Sequence, residues 1–81
     1  TTEADACVQV IYQIRNAFAH DIAQPTWEIR NPRFRRKYEF GGIEIDLTNL
    51  NGEAFRYEHI GGPDVLEHIK NYAEHEVFRV N

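Results

Sequence analysis

The stretch ADACVQVIYQIRNAFAHDI, from Ala4 to Ile22, has the periodicity of one amphipathic helix. Its apolar residues recur three and four positions apart and form a stripe of Cys7, Ile11, Ile14 and Phe18, widened by Val10 and Ala17. The opposite face is polar and consists of Gln9, Tyr12, Gln13, Arg15, Asn16, Ala19 and His20. Because a solvated helix face normally carries several Lys or Glu side chains, this nearly uncharged face predicts contact with a second subunit or a ligand.

The end of this helix, Arg15-Asn16-Ala17-Phe18-Ala19-His20, resembles the R-x4-6-H motif of the HEPN superfamily. The resemblance covers about the first quarter of the chain, through Asp21. HEPN domains are typically small helical bundles that dimerise and place two such motifs across one cleft. Many are metal-independent ribonucleases, and others bind RNA or act as assembly modules without cleaving it. The resemblance therefore implies a homodimer through the first helix, with RNA as the partner.

The resemblance also assigns catalytic roles to Arg15, Asn16 and His20. A histidine exchanges protons near neutral pH, an arginine holds a phosphate, and Asn16 lies one helical turn before His20, where it can orient the imidazole. Arg15 lies about 140° around the helix from His20, too far for an ideal pair within one helix, and contributions from two chains would solve that geometry. The alternative is structural: His20 interacts with the helix C-terminus, and Arg15 forms a salt bridge.

A second candidate site is basic. Residues 22–38 carry a net charge of +4 in a chain whose net charge is −4. The predicted RNA-binding residues are Arg30, Arg33, Arg35, Arg36 and Lys37, with the aromatic residues Trp27, Phe34 and Tyr38 between or beside them. Cations suit phosphates and aromatic rings stack on unpaired bases. The alternative is an edge strand whose charges prevent aggregation, with the aromatic rings in the core.

Other classes of site find less support. The histidines lack the spacing of metal ligands, so we expect no metal site, and no sequence feature predicts a cofactor. Cys7 lies on the apolar stripe and predicts a buried thiol in a reducing compartment. No apolar run has the length of a membrane span, so the expected location is cytoplasmic, away from membranes. The absence of methionine leads us to expect one small domain that is a C-terminal part of a longer prokaryotic protein.

The middle of the chain predicts a β-hairpin. Alternation in the segment Phe34–Phe40 is followed by Gly41-Gly42 and by alternation in the segment Ile43–Leu47. A two-residue loop pairs Phe40 with Ile43, Tyr38 with Ile45, Arg36 with Leu47, Lys37 with Asp46 and Glu39 with Glu44. This register places each aromatic residue beside an aliphatic one on the same face.

A third strand is predicted after the turn Leu50-Asn51-Gly52, with Gly52 left-handed. It would pair Phe55 with Leu47 and Tyr57 with Ile45. Pro63-Asp64 then opens a helix that extends to about residue 77. The fold class that follows is α+β: an N-terminal amphipathic helix, a three-stranded antiparallel meander and a C-terminal helix.

Two functions remain open from the sequence. The first is an HEPN-like, RNA-binding and metal-independent ribonuclease dimer, and the second is a non-catalytic dimerisation or regulatory module. They differ in one observable respect. The nuclease needs Arg15 and His20 from two subunits to converge in an open cleft, whereas separate buried salt bridges would exclude it.

Overall fold

Helix α1 (Glu3–His20) opens the fold in the computed structural model of the chain. The structure describes residues 2–20 and 22–78, with His20 described by its backbone alone. The observed bounds agree with the predicted helix to within two residues, except that Asp21 lies outside the described residues. Thr2 caps the helix, because its Oγ1 accepts a hydrogen bond from the backbone N–H of Asp5 at 3.1 Å.

The predicted hairpin is confirmed in its strands and its register. Strand β1 (Lys37–Phe40) pairs antiparallel with strand β2 (Ile43–Asp46), and Phe40 faces Ile43. Beyond the strands, the backbone N–H of Leu47 donates to the carbonyl of Arg36 at 2.9 Å. Gly41 and Gly42 have φ values of 55° and 79°, and two positive values are what a type I′ turn requires.

The predicted third strand does not form in the part of the chain that the structure describes, where the sheet has two strands. Gly52 is left-handed as predicted, with a φ of 88°. After this turn, however, the chain pairs with the segment that precedes β1. The N–H of Trp27 donates to the carbonyl of Glu53, and the N–H of Phe55 donates to that of Pro25, both at 2.8 Å. This pairing brings the Phe55 ring to 5.3 Å from the Trp27 ring, and Trp27 is 1% exposed.

The chain then reaches the second predicted helix through a 3-10 turn, Tyr57–Ile60. Helix α2 (Pro63–Tyr72) continues directly into a π-helical segment, Ala73–Val77, so the predicted end near residue 77 is confirmed. Pro63 is the first residue of α2, where its missing N–H leaves no hydrogen bond unmade. The fold is thus α+β, with both helices packed against one hairpin and its flanking segments.

The buried face of α1 is rotated around the helix axis relative to the predicted stripe. Cys7, Val10 and Ala17 are fully buried as predicted, and burial raises the pKa of the Cys7 thiol. Gln13, which we expected on the outward polar face, is 3% exposed, whereas Ile14 from the apolar stripe is only half-buried. The correction has a tertiary cause: β1 and the loop before it pack over the Gln13 side of the helix, which periodicity alone does not show.

No helix in residues 2–20 or 22–78 combines the length and the apolar character that crossing a membrane would need.

Candidate nucleic-acid interface

The loop that precedes β1 is held open beside α1 by side-chain hydrogen bonds to its backbone. Asn51 Oδ1 accepts from the N–H of Ile29 at 2.8 Å, and Arg35 Nε donates to the carbonyl of Ile29 at the same distance. Both backbone groups of Ile29 are therefore satisfied without a neighbouring strand. The loop stays extended next to the helix and leaves a groove between them.

A 3-10 turn, Pro32–Phe34, forms the far end of this loop. Asn31 caps it, because its Oδ1 accepts from the N–H of Arg33 at 3.1 Å, and Pro32 occupies the first position of the turn. The hydroxyl of Tyr38 donates to the carbonyl of Phe34 at 2.9 Å and ties the turn to β1. The turn leaves Arg33 exposed and Phe34 half-buried against the groove.

The groove between α1 and this loop, which we call the α1 groove, contains two adjoining cavities. The larger one has a volume of about 420 Å³ and is lined by Tyr12, Gln13, Asn16, Glu28, Arg30, Asn31 and Phe34. The smaller one has a volume of about 210 Å³ and is lined by Asp5, Gln9, Arg33, Phe34, Arg36 and Tyr38. Phe34 belongs to both linings and therefore stands between the two cavities.

Two buried amide atoms in this groove have no hydrogen-bond partner among the residues that the structure describes. They are Nε2 of Gln9, in the wall of the smaller cavity, and Oε1 of Gln13, in the wall of the larger one. Gln13 is 3% exposed, so its carbonyl oxygen is withdrawn from water as well. An unpaired buried polar atom costs about 1–3 kcal/mol, and each such atom in a folded protein calls for an explanation. One such explanation is a ligand in the groove that carries complementary donors and acceptors.

Three of the five predicted basic residues line the α1 groove: Arg30, Arg33 and Arg36. The guanidinium of Arg33 lies 5.1 Å from the centre of the Phe34 ring, and that of Arg36 lies 5.1 Å from the centre of the Tyr38 ring. Such stacking holds a guanidinium in one orientation. Burial raises the pKa of the Tyr38 hydroxyl, and the positive charge of Arg36 opposes that rise.

The other two basic residues are placed differently. Arg35 is committed to the backbone, because it donates to the carbonyls of Ile29 and Arg30. Lys37 lies on the outer face of the hairpin, where its Nζ is 3.2 Å from a carboxylate oxygen of Glu44. The hydrogen bond and the charge of Glu44 raise the pKa of Lys37. The basic cluster of the sequence is therefore divided among the α1 groove, the backbone of the loop before β1 and the outer face of the hairpin.

Of the HEPN-like motif, the side chains of Arg15 and Asn16 are described, and they line different cavities. Asn16 lines the α1 groove. Arg15 instead lines a separate apolar cavity of about 430 Å³ on the other side of α1, together with Ile11, Ile14, Leu66, Ile69, Lys70, Ala73, Glu74 and Phe78. The side chain of His20 lies outside the described residues.

The sequence predicts that the polar face with Gln9, Tyr12 and Gln13 contacts a ligand or a subunit, and all three line the groove. Glu28 lines it as well and was not assigned to a site. The signal that was present is the uncharged polar face of α1, which the sequence analysis associates with a ligand or a subunit. The location of that ligand depended on the loop, and no pattern in the sequence shows which side of the helix the loop covers. Among the described side chains, those of residues 2–19 and 22–78, no group of three or more His, Cys, Asp or Glu residues is arranged to hold a metal ion.

Comparison of the chain with protein-family models, with curated proteins and with solved structures finds no match in any of the three.

Proposed function

We propose that this chain binds single-stranded RNA in the α1 groove, without a metal ion and without cleaving it as a single chain. The observation that carries this proposal is the shared position of three kinds of group. Guanidinium groups, aromatic rings and unpaired buried amides all line the same groove. Each kind has another explanation when it is alone, but together they match the parts of a nucleotide.

The smaller cavity has the chemistry of a phosphate site. Arg33 and Arg36 present planar guanidinium groups, which bind phosphate oxygens through two hydrogen bonds at once. Nε2 of Gln9 adds a donor that has no partner. The stacking of Arg33 on Phe34 and of Arg36 on Tyr38 limits the side-chain entropy that binding would otherwise remove. Asp5 also lines this cavity, and its negative charge keeps the attraction moderate.

The larger cavity has the chemistry of a base site. The rings of Tyr12 and Phe34 line it, and unpaired bases stack on such rings. The polar residues of the lining carry the donors and acceptors that read base edges. In a duplex the Watson–Crick edges of the bases pair with each other and the base faces are stacked, so neither is available for this contact. The groove therefore suits a single strand whose bases are turned outward.

The proposal is tested by fluorescence anisotropy with a labelled single-stranded RNA of mixed sequence. The double variant Arg33→Gln/Arg36→Gln should weaken binding strongly, and Lys37→Gln should not, although it removes a neighbouring positive charge. If Arg33 and Arg36 each contact a phosphate, the plot of log affinity against log salt has a slope of about −1.4. The double variant should reduce that slope by about 1.4. Equal weakening by Lys37→Gln would show nonspecific attraction and contradict the groove.

A second candidate is a homodimer formed through α1, and one observation favours it. The outward side of the helix carries Val8, Tyr12, Arg15 and Ala19, which fall on one stripe. Val8 is 44% exposed and Tyr12 is 54% exposed, so two large apolar side chains stand beside a single charge. Two-fold pairing of this stripe would place the two HEPN-like motifs at one interface, where an HEPN-like ribonuclease needs Arg15 and His20 from two subunits to converge.

Sedimentation velocity distinguishes the two candidates. A dimer that dissociates in Val8→Lys supports pairing through the stripe, and a monomer at all concentrations contradicts it. RNA cleavage in EDTA that is abolished by both Arg15→Ala and His20→Ala would establish the nuclease. Binding without cleavage leaves the RNA-binding proposal as stated.

A further inference from the structure

The apolar cavity that α1 and α2 line together has the size of a small-molecule site. Its volume of about 430 Å³ lies in the lower part of the range of about 300–1,000 Å³ that is usual for such sites. Most of its lining follows one side of α2 and of the π-helical segment, from Leu66 to Phe78, which is about three helical turns. The cavity is therefore elongated along this helix, and its shape favours a chain over a compact ring system.

The cavity is concave as well as long. Its floor contains the buried residues Ile69 and Ala73. Ile11 and Ile14 of α1 line the other side and are only half-buried. Both isoleucines belong to the apolar stripe that the sequence predicts for the core, so the fold leaves part of this stripe uncovered. Contact with an apolar molecule would remove that remaining surface from water, which is favourable.

The π-helical segment shapes one end of the cavity. The backbone N–H of Phe78 donates to the carbonyl of Ala73, five positions earlier, at 2.8 Å. This turn is wider than an α-helical turn, and both of the residues that it joins line the cavity. Such turns are rare and frequently occur at functional sites.

The charged residues of the lining favour an anion. They are two cations, Arg15 and Lys70, and one carboxylate, Glu74. Their side chains are at least partly exposed, so the aliphatic stems border the apolar surface and the charged ends reach water at its edge. Nζ of Lys70 lies 3.9 Å from a carboxylate oxygen of Glu74, and Arg15 has no carboxylate partner among the residues that the structure describes. The edge of the cavity thus carries an excess of one positive charge.

We infer that this cavity binds a free amphiphilic carboxylate with one unbranched alkyl chain, the chemistry of a fatty acid. The alkyl chain lies along α2 on the apolar floor, and the carboxylate stays at the edge with Arg15 and Lys70. The site is on the opposite side of α1 from the α1 groove, so it does not depend on the proposed binding of RNA.

The location of the site is tested by titration of the chain with sodium octanoate, followed by ¹³C-methyl NMR of the isoleucines. The δ1-methyl signals of Ile11, Ile14 and Ile69 should shift together, with a Kd on the order of 1 mM for so small a ligand. Ile45 and Ile60 are buried outside the cavity lining and serve as internal controls, so their signals should move little.

The charge of the ligand is tested with octylammonium, which has the same alkyl chain and the opposite charge. It should bind about fivefold more weakly than octanoate, because exposed charges contribute modestly. The double variant Arg15→Gln/Lys70→Gln should weaken octanoate binding by about the same factor, and Glu74→Gln should strengthen it. The control Lys37→Gln removes a cation on the outer face of the hairpin and should leave the affinity for octanoate unchanged.

Three results would overturn the inference. The first is an octanoate titration that leaves the three cavity methyl signals in place or shifts all isoleucines equally. The second is equal affinity for octanoate and octylammonium, which would refute the carboxylate. The third is a shift of the cavity methyl signals with protein concentration alone, because a second copy of the chain would then be what covers the cavity.

Discussion

The indole nitrogen of Trp27 donates a hydrogen bond to Nδ1 of His59 at 2.8 Å, across 32 positions of the sequence. Trp27 is 1% exposed, so this hydrogen bond is what satisfies the indole N–H inside the protein. The same nitrogen of His59 accepts from the backbone N–H of Arg56 at 3.3 Å. One imidazole thus connects the loop beside the α1 groove to the 3-10 turn before α2.

Replacing this acceptor should destabilise the protein. His59→Phe keeps a ring of similar size but leaves the Trp27 N–H unpaired, so the free energy of unfolding should fall by about 1–3 kcal/mol. Urea unfolding followed by the fluorescence of Trp27, the single tryptophan, measures the change. The control His68→Phe alters an exposed histidine on α2 and should change stability by less than about 0.5 kcal/mol. Equal midpoints for the two variants would show that the hydrogen bond contributes little.

The hairpin turn gives a second prediction, because its two glycines differ in their surroundings. A Cβ at Gly41 would lie 2.5 Å from Cδ2 of Tyr72, whereas a Cβ at Gly42 would meet no atom within 4 Å. Both residues have positive φ, so alanine at either position should cost about 1–2 kcal/mol of backbone strain. Gly41→Ala should cost more, because Tyr72 must also leave its place beside Phe40, 5.4 Å away.

Urea unfolding of the two alanine variants measures this difference directly, and Gly42→Ala serves as the control for strain alone. If both variants lose the same stability, the Tyr72 ring moves aside at no cost and the contact does not help to seat α2 on the hairpin.

The hairpin shows what local sequence is able to predict. Alternation in β1 and β2 and the two glycines determine the register, because a shift by one residue would move every aromatic side chain to the other face. The prediction of a third strand was wrong because the pairing of this segment depends on residues that are distant in the sequence. Phe55 had two possible partners, and the observed one, the segment around Trp27, buries the largest ring of the chain.

The candidate site was predictable in its components and not in its arrangement. The polar face of α1 and the arginines before β1 were recognised separately in the sequence. Their meeting in one groove depends on the loop that Asn51 and Arg35 hold against the helix. Arg15 and Asn16 are neighbours in sequence, but they lie about 100° apart on a helix and so line different cavities.

The carboxylate of Asp46, which ends β2, gives a prediction for pH. Its Oδ1 accepts from the hydroxyl of Thr48 at 2.5 Å and from the backbone N–H of Thr48 at 2.9 Å. These hydrogen bonds hold the pKa of Asp46 below its ordinary value. The stability that they contribute is therefore present above the ordinary pKa and is lost as the pH falls through the lowered one. This contribution to stability is small because the carboxylate of Asp46 is exposed.

Thr48→Val removes the hydroxyl and keeps the backbone hydrogen bond, so the pKa of Asp46 should move partway back up. Thr48→Ser keeps a hydroxyl and should leave the pKa low. Carboxyl ¹³C chemical shifts recorded across the acid range measure both variants. Identical titration of Asp46 in Thr48→Val and in the wild-type chain would show that the side-chain hydrogen bond has no effect.

The last prediction separates stability from binding at one residue. Gln13→Met keeps the length of a side chain that is 3% exposed and removes its unpaired Oε1. The free energy of unfolding should rise by about 1 kcal/mol, because a buried polar atom without a partner is lost. RNA affinity should fall, because the acceptor that the proposed base would satisfy is lost as well.

A rise in stability together with a fall in RNA affinity is what we expect of a group that is retained for a ligand rather than for the fold. The matched control is Ile14→Met, which changes α1 one position away, on the side of the apolar cavity. It should leave RNA affinity unchanged and cost less than about 1.5 kcal/mol. A fall in both stability and affinity in Gln13→Met would instead show that the amide supports the fold, and the lost binding would then be a consequence of a distorted groove. A rise in stability with unchanged affinity would remove Gln13 from the site.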